Sequence, residues 1–217
     1  TDTMYSRHHR RAAELAYHTA TDLQGLLIKA GQFLGTRADI LPDEFIGILS
    51  KLHDRVPARP FDEIKPVVEQ RLGLSLSDVF ATFEEQPLAA ASLAQVHRAT
   101  LLDGQEVVVK IQYPEIRKVV TTDIINLSFL INILAKIERN FDFRLVIREV
   151  SKYVSRELDF EHEARNAETI RANLLHRDDV VVPAIMSEHS TDTLIVMEYV
   201  PGIKVTDTEA LAAAGID

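Results

Sequence analysis

Residues 89–112 run AAASLAQVHRATLLDGQEVVVKIQ, and their order decides how the rest of the chain is read. Asp103-Gly104 separates two β-rich runs, and an Asp-Gly pair suits a tight hairpin turn that needs positive φ. Gln95–Leu101 and Glu106–Gln112 are therefore expected as paired strands, with Phe80–Leu88 as a third. Side chains alternate along a strand, so Val107, Val109 and Ile111 point one way while Val108 and Lys110 point the other. A lysine on an inner sheet face is costly unless it meets a negative partner. Upstream, Ala89-Ala90-Ala91-Ser92-Leu93-Ala94-Gln95-Val96-His97 carries small side chains that would let backbone amides approach a phosphate, although alanine permits fewer conformations than glycine. Taken singly, the alanines also fit tight packing and Lys110 also fits a solvated edge. Their joint spacing around the hairpin favours a nucleotide.

Helical spacing governs the residues before this hairpin. Apolar groups recur at that spacing from about 6 to 34, and Pro42 suits the first turn of a second helix carrying Phe45, Ile48, Leu49 and Leu52. A third helix is expected over Asp62–Leu72, ended by Gly73. After the hairpin, helices are expected over Thr122–Glu138 and Leu145–Leu174, then strands over Val180–Met186 and Thr193–Val200. Thr206 or Asp207 would cap a short helix through the alanines of 210–214.

Composition narrows the function classes. The chain has 217 residues, 46% apolar and 26% charged, enough for one substantial core. A net charge of −9 argues against a general nucleic-acid coat, which would need excess Lys and Arg. There is no cysteine, so thiolate metal sites are out, and the eight histidines lack metal-ligand spacing. The basic run Arg7-His8-His9-Arg10-Arg11 fits a solvated helix start better than an anionic-lipid contact. Apolar runs fall short of the roughly 20 residues that span a bilayer, so this segment reads as soluble.

Three motifs in order resemble those of the UbiB/ADCK group of atypical protein-kinase-like proteins. Lys29-Ala30-Gly31-Gln32 is similar to its KxGQ motif, Ala89–His97 to its alanine-rich loop, and Glu157-Leu158-Asp159 to its ExD motif. The resemblance runs from about Leu26 to Gly202 and implies an α+β fold. That fold is a protein-kinase-like small lobe, an antiparallel sheet plus an αC helix, with inserted helices and a helical N-terminal extension. Residues 1–76 would form the extension, 77–202 the lobe with its insertion, and 203–217 the start of a linker to a large lobe outside the chain.

The resemblance also implies roles. Lys110 would be the phosphate lysine and Glu163 its ion-pair partner, both catalytic. Ala89, Ala90, Ala91, Ser92, Ala94 and Gln95 would line the phosphate loop, though Ala94 stands where many members have glycine. Met197-Glu198-Tyr199-Val200 would be gatekeeper and hinge, with backbone groups at Glu198 and Val200 meeting adenine. Lys29 and Gln32, on one helical face, would cover the cleft and meet Glu157 and Asp159, with Lys29 pairing with Glu157. Without the resemblance, Glu157, Asp159, Glu161 and Glu163 would read as an acidic stripe on a solvated helix.

ATP or ADP is the expected cofactor, with Mg²⁺ expected in a longer parent and no metal ligands within this chain. The implied activity is an atypical kinase or ATPase supporting ubiquinone or other prenyl-lipid biosynthesis. Partners would be the nucleotide, a membrane lipid or prenyl-lipid intermediate and a biosynthetic complex, with no nucleic acid. The compartment would be the cytoplasm or membrane surface of a bacterium, or a mitochondrion or plastid in a eukaryote. A nucleotide-binding pseudokinase scaffold without turnover, and a lipid-interaction module with a structural lobe, are the alternatives. Two kinase-like triplets are decoys: His176-Arg177-Asp178 and Asp142-Phe143-Arg144 both precede the hinge, the wrong order for catalytic loops.

Overall fold

The computed structural model describes residues 9–11, 13–15, 17–19, 21, 43–53, 58–137 and 143–216. Helix α1 (Asp43–Leu49) runs into a 3-10 turn at Ser50–His53, and α2 (Phe61–Leu72) and the short α3 (Leu76–Val79) lead into the sheet. Asp62 and Glu63 favour the N-terminal end of α2 through the helix dipole. Gly73, at φ 70°, closes that helix by donating its amide to the Glu69 carbonyl at 2.9 Å.

Five strands follow: β1 (Phe80–Phe83), β2 (Ala89–Ala90), β3 (Ala94–Leu101), β4 (Glu106–Gln112) and β5 (Leu194–Glu198). They form one antiparallel sheet in the order β1-β3-β4-β5, with β2 folded back on β3. The Asp-Gly hairpin forms between β3 and β4 as expected. Leu102, Asp103 and Gly104 make its loop, and only Gly104, at φ 91°, has positive φ. Gln105 donates its amide to the Asp103 carboxylate at 2.9 Å, which stabilises this longer form of the turn.

One face of the sheet is the main core. Ala99, Leu101, Val107, Val109, Ile111, Leu194 and Val196 pack there with Ile64 and Val68 of α2 and with Val150 and Val154. The other face is smaller and polar at its centre: Ala94 and Ile195 pack on Phe160, with Lys110 among them. The alternation read from Val107 to Ile111 is the one observed.

After the sheet come α4 (Ile116–Ile137), α5 (Phe143–Glu157) and α6 (Phe160–Leu174), with α7 (Thr208–Ala213) after β5. Asp207 caps α7 by accepting from the Ala210 amide at 3.0 Å. Three expectations change. The helix expected over 145–174 is two helices, because Asp159 accepts from the His162 amide at 2.9 Å and starts α6 afresh. The strand expected over 180–186 reduces to a single bridge, Ile185 with Met197, where Pro183 lacks an amide to pair. β1 stops at Phe83, ahead of Pro87. No described helix is long and apolar enough to cross a membrane.

Candidate functional site

Lys110 sits on β4, between β3 and β5, opposite Val96 on β3 and Ile195 on β5. Its ammonium is held by α6: Lys110 Nζ donates to both carboxylate oxygens of Glu163, at 2.5 and 2.7 Å. The same nitrogen lies 4.7 Å from the centroid of the Phe160 ring, an added attraction for the cation. Phe160 is 1% exposed and anchors the first turn of α6 on the sheet. Glu163 lies one turn further on, its amide donating to the Asp159 carbonyl at 3.1 Å.

The pair borders an open cleft of about 580 Å³, lined also by Tyr153, Arg156, Glu157 and Asn166. Burial, and then a hydrogen bond to Glu157, raise the Tyr153 phenol above its ordinary range. Of the two acids in the ExD motif, Glu157 thus faces this cleft, whereas Asp159 caps α6. Lys29 and Gln32 lie outside the described residues.

The hinge residues leave two backbone groups open. Tyr199 donates its amide to Glu106 at 3.0 Å and Gln112 donates to Thr193 at 3.0 Å. Antiparallel bonding alternates, so the Glu198 backbone, paired in register with Val107, turns away from β4. Its amide donates to the Ala184 carbonyl at 2.9 Å, while the Ala184 amide goes to the Glu198 carboxylate at 3.2 Å. Among the described residues nothing donates to the Glu198 carbonyl, and the Val200 amide has no acceptor. Arg98 steadies this corner, its guanidinium 4.3 Å from the Tyr199 ring centroid and 2.6 Å from Glu106.

The alanine-rich loop divides. Ala89 and Ala91 are exposed and Ala90 half-buried, in a reversal closed by the Ala91 amide on the Ala94 carbonyl at 2.8 Å. Ser92 and Ala94 are buried, and the Ser92 hydroxyl has no partner among the described residues. Gln95 departs from the expectation: its side chain lies on the core face, opposite Lys110. There it accepts from the Arg59 amide at 2.9 Å and its amide nitrogen lies 2.8 Å from His97 Nε2. Strand alternation puts it there, because it is an odd number of positions from Lys110's cross-strand partner Val96.

Two residues that hold the helix carrying Glu163 are not singled out by the sequence reading. Gln112 donates to the Leu158 carbonyl at 2.8 Å, and Arg117 donates to that carbonyl at 2.8 Å and to the Asp192 carbonyl at 2.9 Å. They hold the elbow between α5 and α6, and so the start of the helix that carries Glu163. A polar residue on Lys110's own face of β4 was the available signal for Gln112. The first decoy finds an ordinary place. Arg177 pairs with Asp179 through two contacts of 2.7 and 2.5 Å in the exposed turn after α6, which lowers the Asp179 carboxyl below its usual range. Asp142 lies outside the described residues.

Residues 51–217 match the family profile described as ABC1 atypical kinase-like domain. The chain belongs to the ABC1 atypical kinase-like family. Over its whole length it is 39% identical to AarF domain-containing protein kinase 1 of Xenopus tropicalis, of which it covers 41%. Over 96% of its length it is 38% identical to Protein ACTIVITY OF BC1 COMPLEX KINASE 7, chloroplastic, of Arabidopsis thaliana, covering 30% of that protein. Among solved structures it is similar to the complex of Rv3197 with erythromycin from Mycobacterium tuberculosis. The TM-score there is 0.59 at 28% identity, covering 95% of this chain and 52% of that one. The chain therefore spans less than half the length of these two curated family members.

Proposed function

We propose that the protein binds an adenine nucleotide, ATP or ADP, between the alanine-rich loop, Lys110 and the hinge, and serves an atypical kinase or ATPase. The observation that carries this reading is the Lys110–Glu163 pair, set on the polar face of the sheet beside an open cleft. A lysine held by a helix carboxylate keeps its charge aimed at one place without filling it, which suits phosphate oxygens. The open carbonyl of Glu198 and amide of Val200 offer one acceptor and one donor, which fit the adenine edge. We assign residues 1–76 to an N-terminal extension, 77–202 to the lobe and 203–217 to a linker.

Mg²⁺ would accompany ATP, neutralising phosphate charge. Among the described residues no three His, Asp or Glu side chains converge to hold it, so no step is assigned to it. We assign the activity to support of ubiquinone or other prenyl-lipid synthesis, at a membrane surface or with a biosynthetic complex. That assignment rests on family membership.

Calorimetric titration of the intact protein with ATP and ADP tests the nucleotide reading, and saturable micromolar binding is expected. Mg²⁺-dependent release of phosphate, with and without vesicles containing a prenyl quinone, then separates an ATPase from a scaffold that only binds. Absence of any nucleotide binding by the intact protein would remove the proposal.

A further inference from the structure

The hinge holds an arrangement that simple strand pairing does not produce. Ala184 and Glu198 flank one end of the antiparallel bridge Ile185–Met197, and Met186 and Val196 flank the other. A regular narrow pair would exchange two backbone bonds. Only one is made, from the Glu198 amide to the Ala184 carbonyl at 2.9 Å. The other donor, the Ala184 amide, is taken at 3.2 Å by the Glu198 carboxylate. The next amide, Ile185, is likewise taken by a side chain, Glu168 of α6, at 3.0 Å. Pro183 has no amide to offer. The segment 183–185 thus lies against β5 with none of its donors on the Glu198 carbonyl.

Resting on the adenine-nucleotide reading, we propose that the Glu198 side chain is a specificity-determining element of the hinge. By occupying the Ala184 amide, it keeps its own main-chain carbonyl open for the 6-amino group of adenine. An amide hydrogen makes one strong bond at a time, so with the carboxylate removed the Ala184 amide has an acceptor within the same pair, the carbonyl at position 198. That carbonyl would then be shared or lost to the base. The distinction is chemical: adenine presents an amino donor at position 6, whereas guanine presents a carbonyl there, which an open carbonyl repels. The Val200 amide adds the matching donor to the ring nitrogen of adenine. Glu198 acts on the base end alone, because the phosphate end belongs to Lys110 and the loop.

The test is calorimetric titration of the intact protein with ATP, GTP and inorganic tripolyphosphate. Glu198→Ala is expected to weaken ATP by about tenfold, the worth of one neutral hydrogen bond, and to narrow the preference for ATP over GTP equally. Tripolyphosphate binding stays as in the wild type. Glu198→Gln, whose amide oxygen still accepts from Ala184, rescues the preference. Glu198→Asp keeps the charge but is one methylene too short, and carries the same expectation as Glu198→Ala should that variant fail to fold. A wild-type preference for ATP in both Glu198→Ala and Glu198→Asp overturns the inference and leaves the nucleotide reading standing. A wild-type protein that binds neither nucleotide overturns both.

Discussion

Arg117 of α4 donates to the Leu158 carbonyl at 2.8 Å, across the elbow where α5 ends and α6 begins. The same guanidinium nitrogen reaches the Asp192 carbonyl at 2.9 Å, just before β5, and Gln112 at the end of β4 adds a second donor to Leu158. A single cation therefore joins the insertion helix, the elbow and the last strand. The position of Glu163 against Lys110 depends on this joint.

Arg117→Ala leaves the Asp192 carbonyl without this donor and Leu158 with only one. A loss of about 1–2 kcal/mol in urea unfolding is expected. Arg117→Lys should recover only part of this, because an ammonium lacks the second nitrogen, Nε, that donates to Gln112 Oε1 at 3.3 Å. An unfolding midpoint unchanged in Arg117→Ala would mean that the elbow holds itself.

Lys110→Ala separates stability from ligand binding. The pair is partly solvated, with the two side chains 27% and 41% exposed, so its loss should change stability by at most about 1 kcal/mol. Nucleotide affinity should fall tenfold or more, since a charge-assisted bond to phosphate contributes about 1.5–3 kcal/mol. Calorimetry on a variant with an unshifted melting curve reads both. Affinity retained in that variant would exclude Lys110 from the phosphate site.

Asp159 starts α6 with its side chain. Asp159→Ala should cost about 1 kcal/mol, and Asp159→Asn only a few tenths, because asparagine caps as well. Thermal unfolding of the two variants decides it. Equal losses would point to the charge of Asp159 rather than its cap.

His97 is fully buried between the Phe61 and Phe83 rings, and it bonds the Glu84 carbonyl through Nδ1 at 2.8 Å. The carbonyl accepts, so Nδ1 carries the proton and Nε2 accepts from Gln95. Burial lowers its pKa below the ordinary 6.5, against a smaller raising effect of the Glu84 carbonyl. The unfolded chain then binds more protons as pH falls through 6.5, so stability is present above that value and is lost towards the folded pKa. One proton sets an upper limit of about 1.4 kcal/mol per pH unit on the slope of this loss. Urea titrations from pH 7.5 to 5 should show stability falling below pH 6.5 in the wild type and falling less in His97→Gln.

Helix α2, with its glycine stop, and the β3–β4 hairpin were legible because their signals are local. The α5–α6 break was not, because apolar spacing continues across it. An aspartate is read as a cap only once the preceding carbonyl is known to be bonded elsewhere, here by Gln112 and Arg117. Gln95 shows the opposite case: its neighbours group it with the loop, whereas strand alternation puts its side chain on the core face.

Strand periodicity and an Asp-Gly turn alone determined that Lys110 would lie on the polar face, since backbone geometry sets side-chain direction residue by residue. Family likeness named Glu163, but spacing could not choose among carboxylates at 157, 159, 161 and 163, which turn to different sides of a helix. Tertiary packing made that choice. The new helix start at Asp159 and the seating of Phe160 on the sheet set the rotation of α6, and only that rotation brings one carboxylate within 2.7 Å of the lysine.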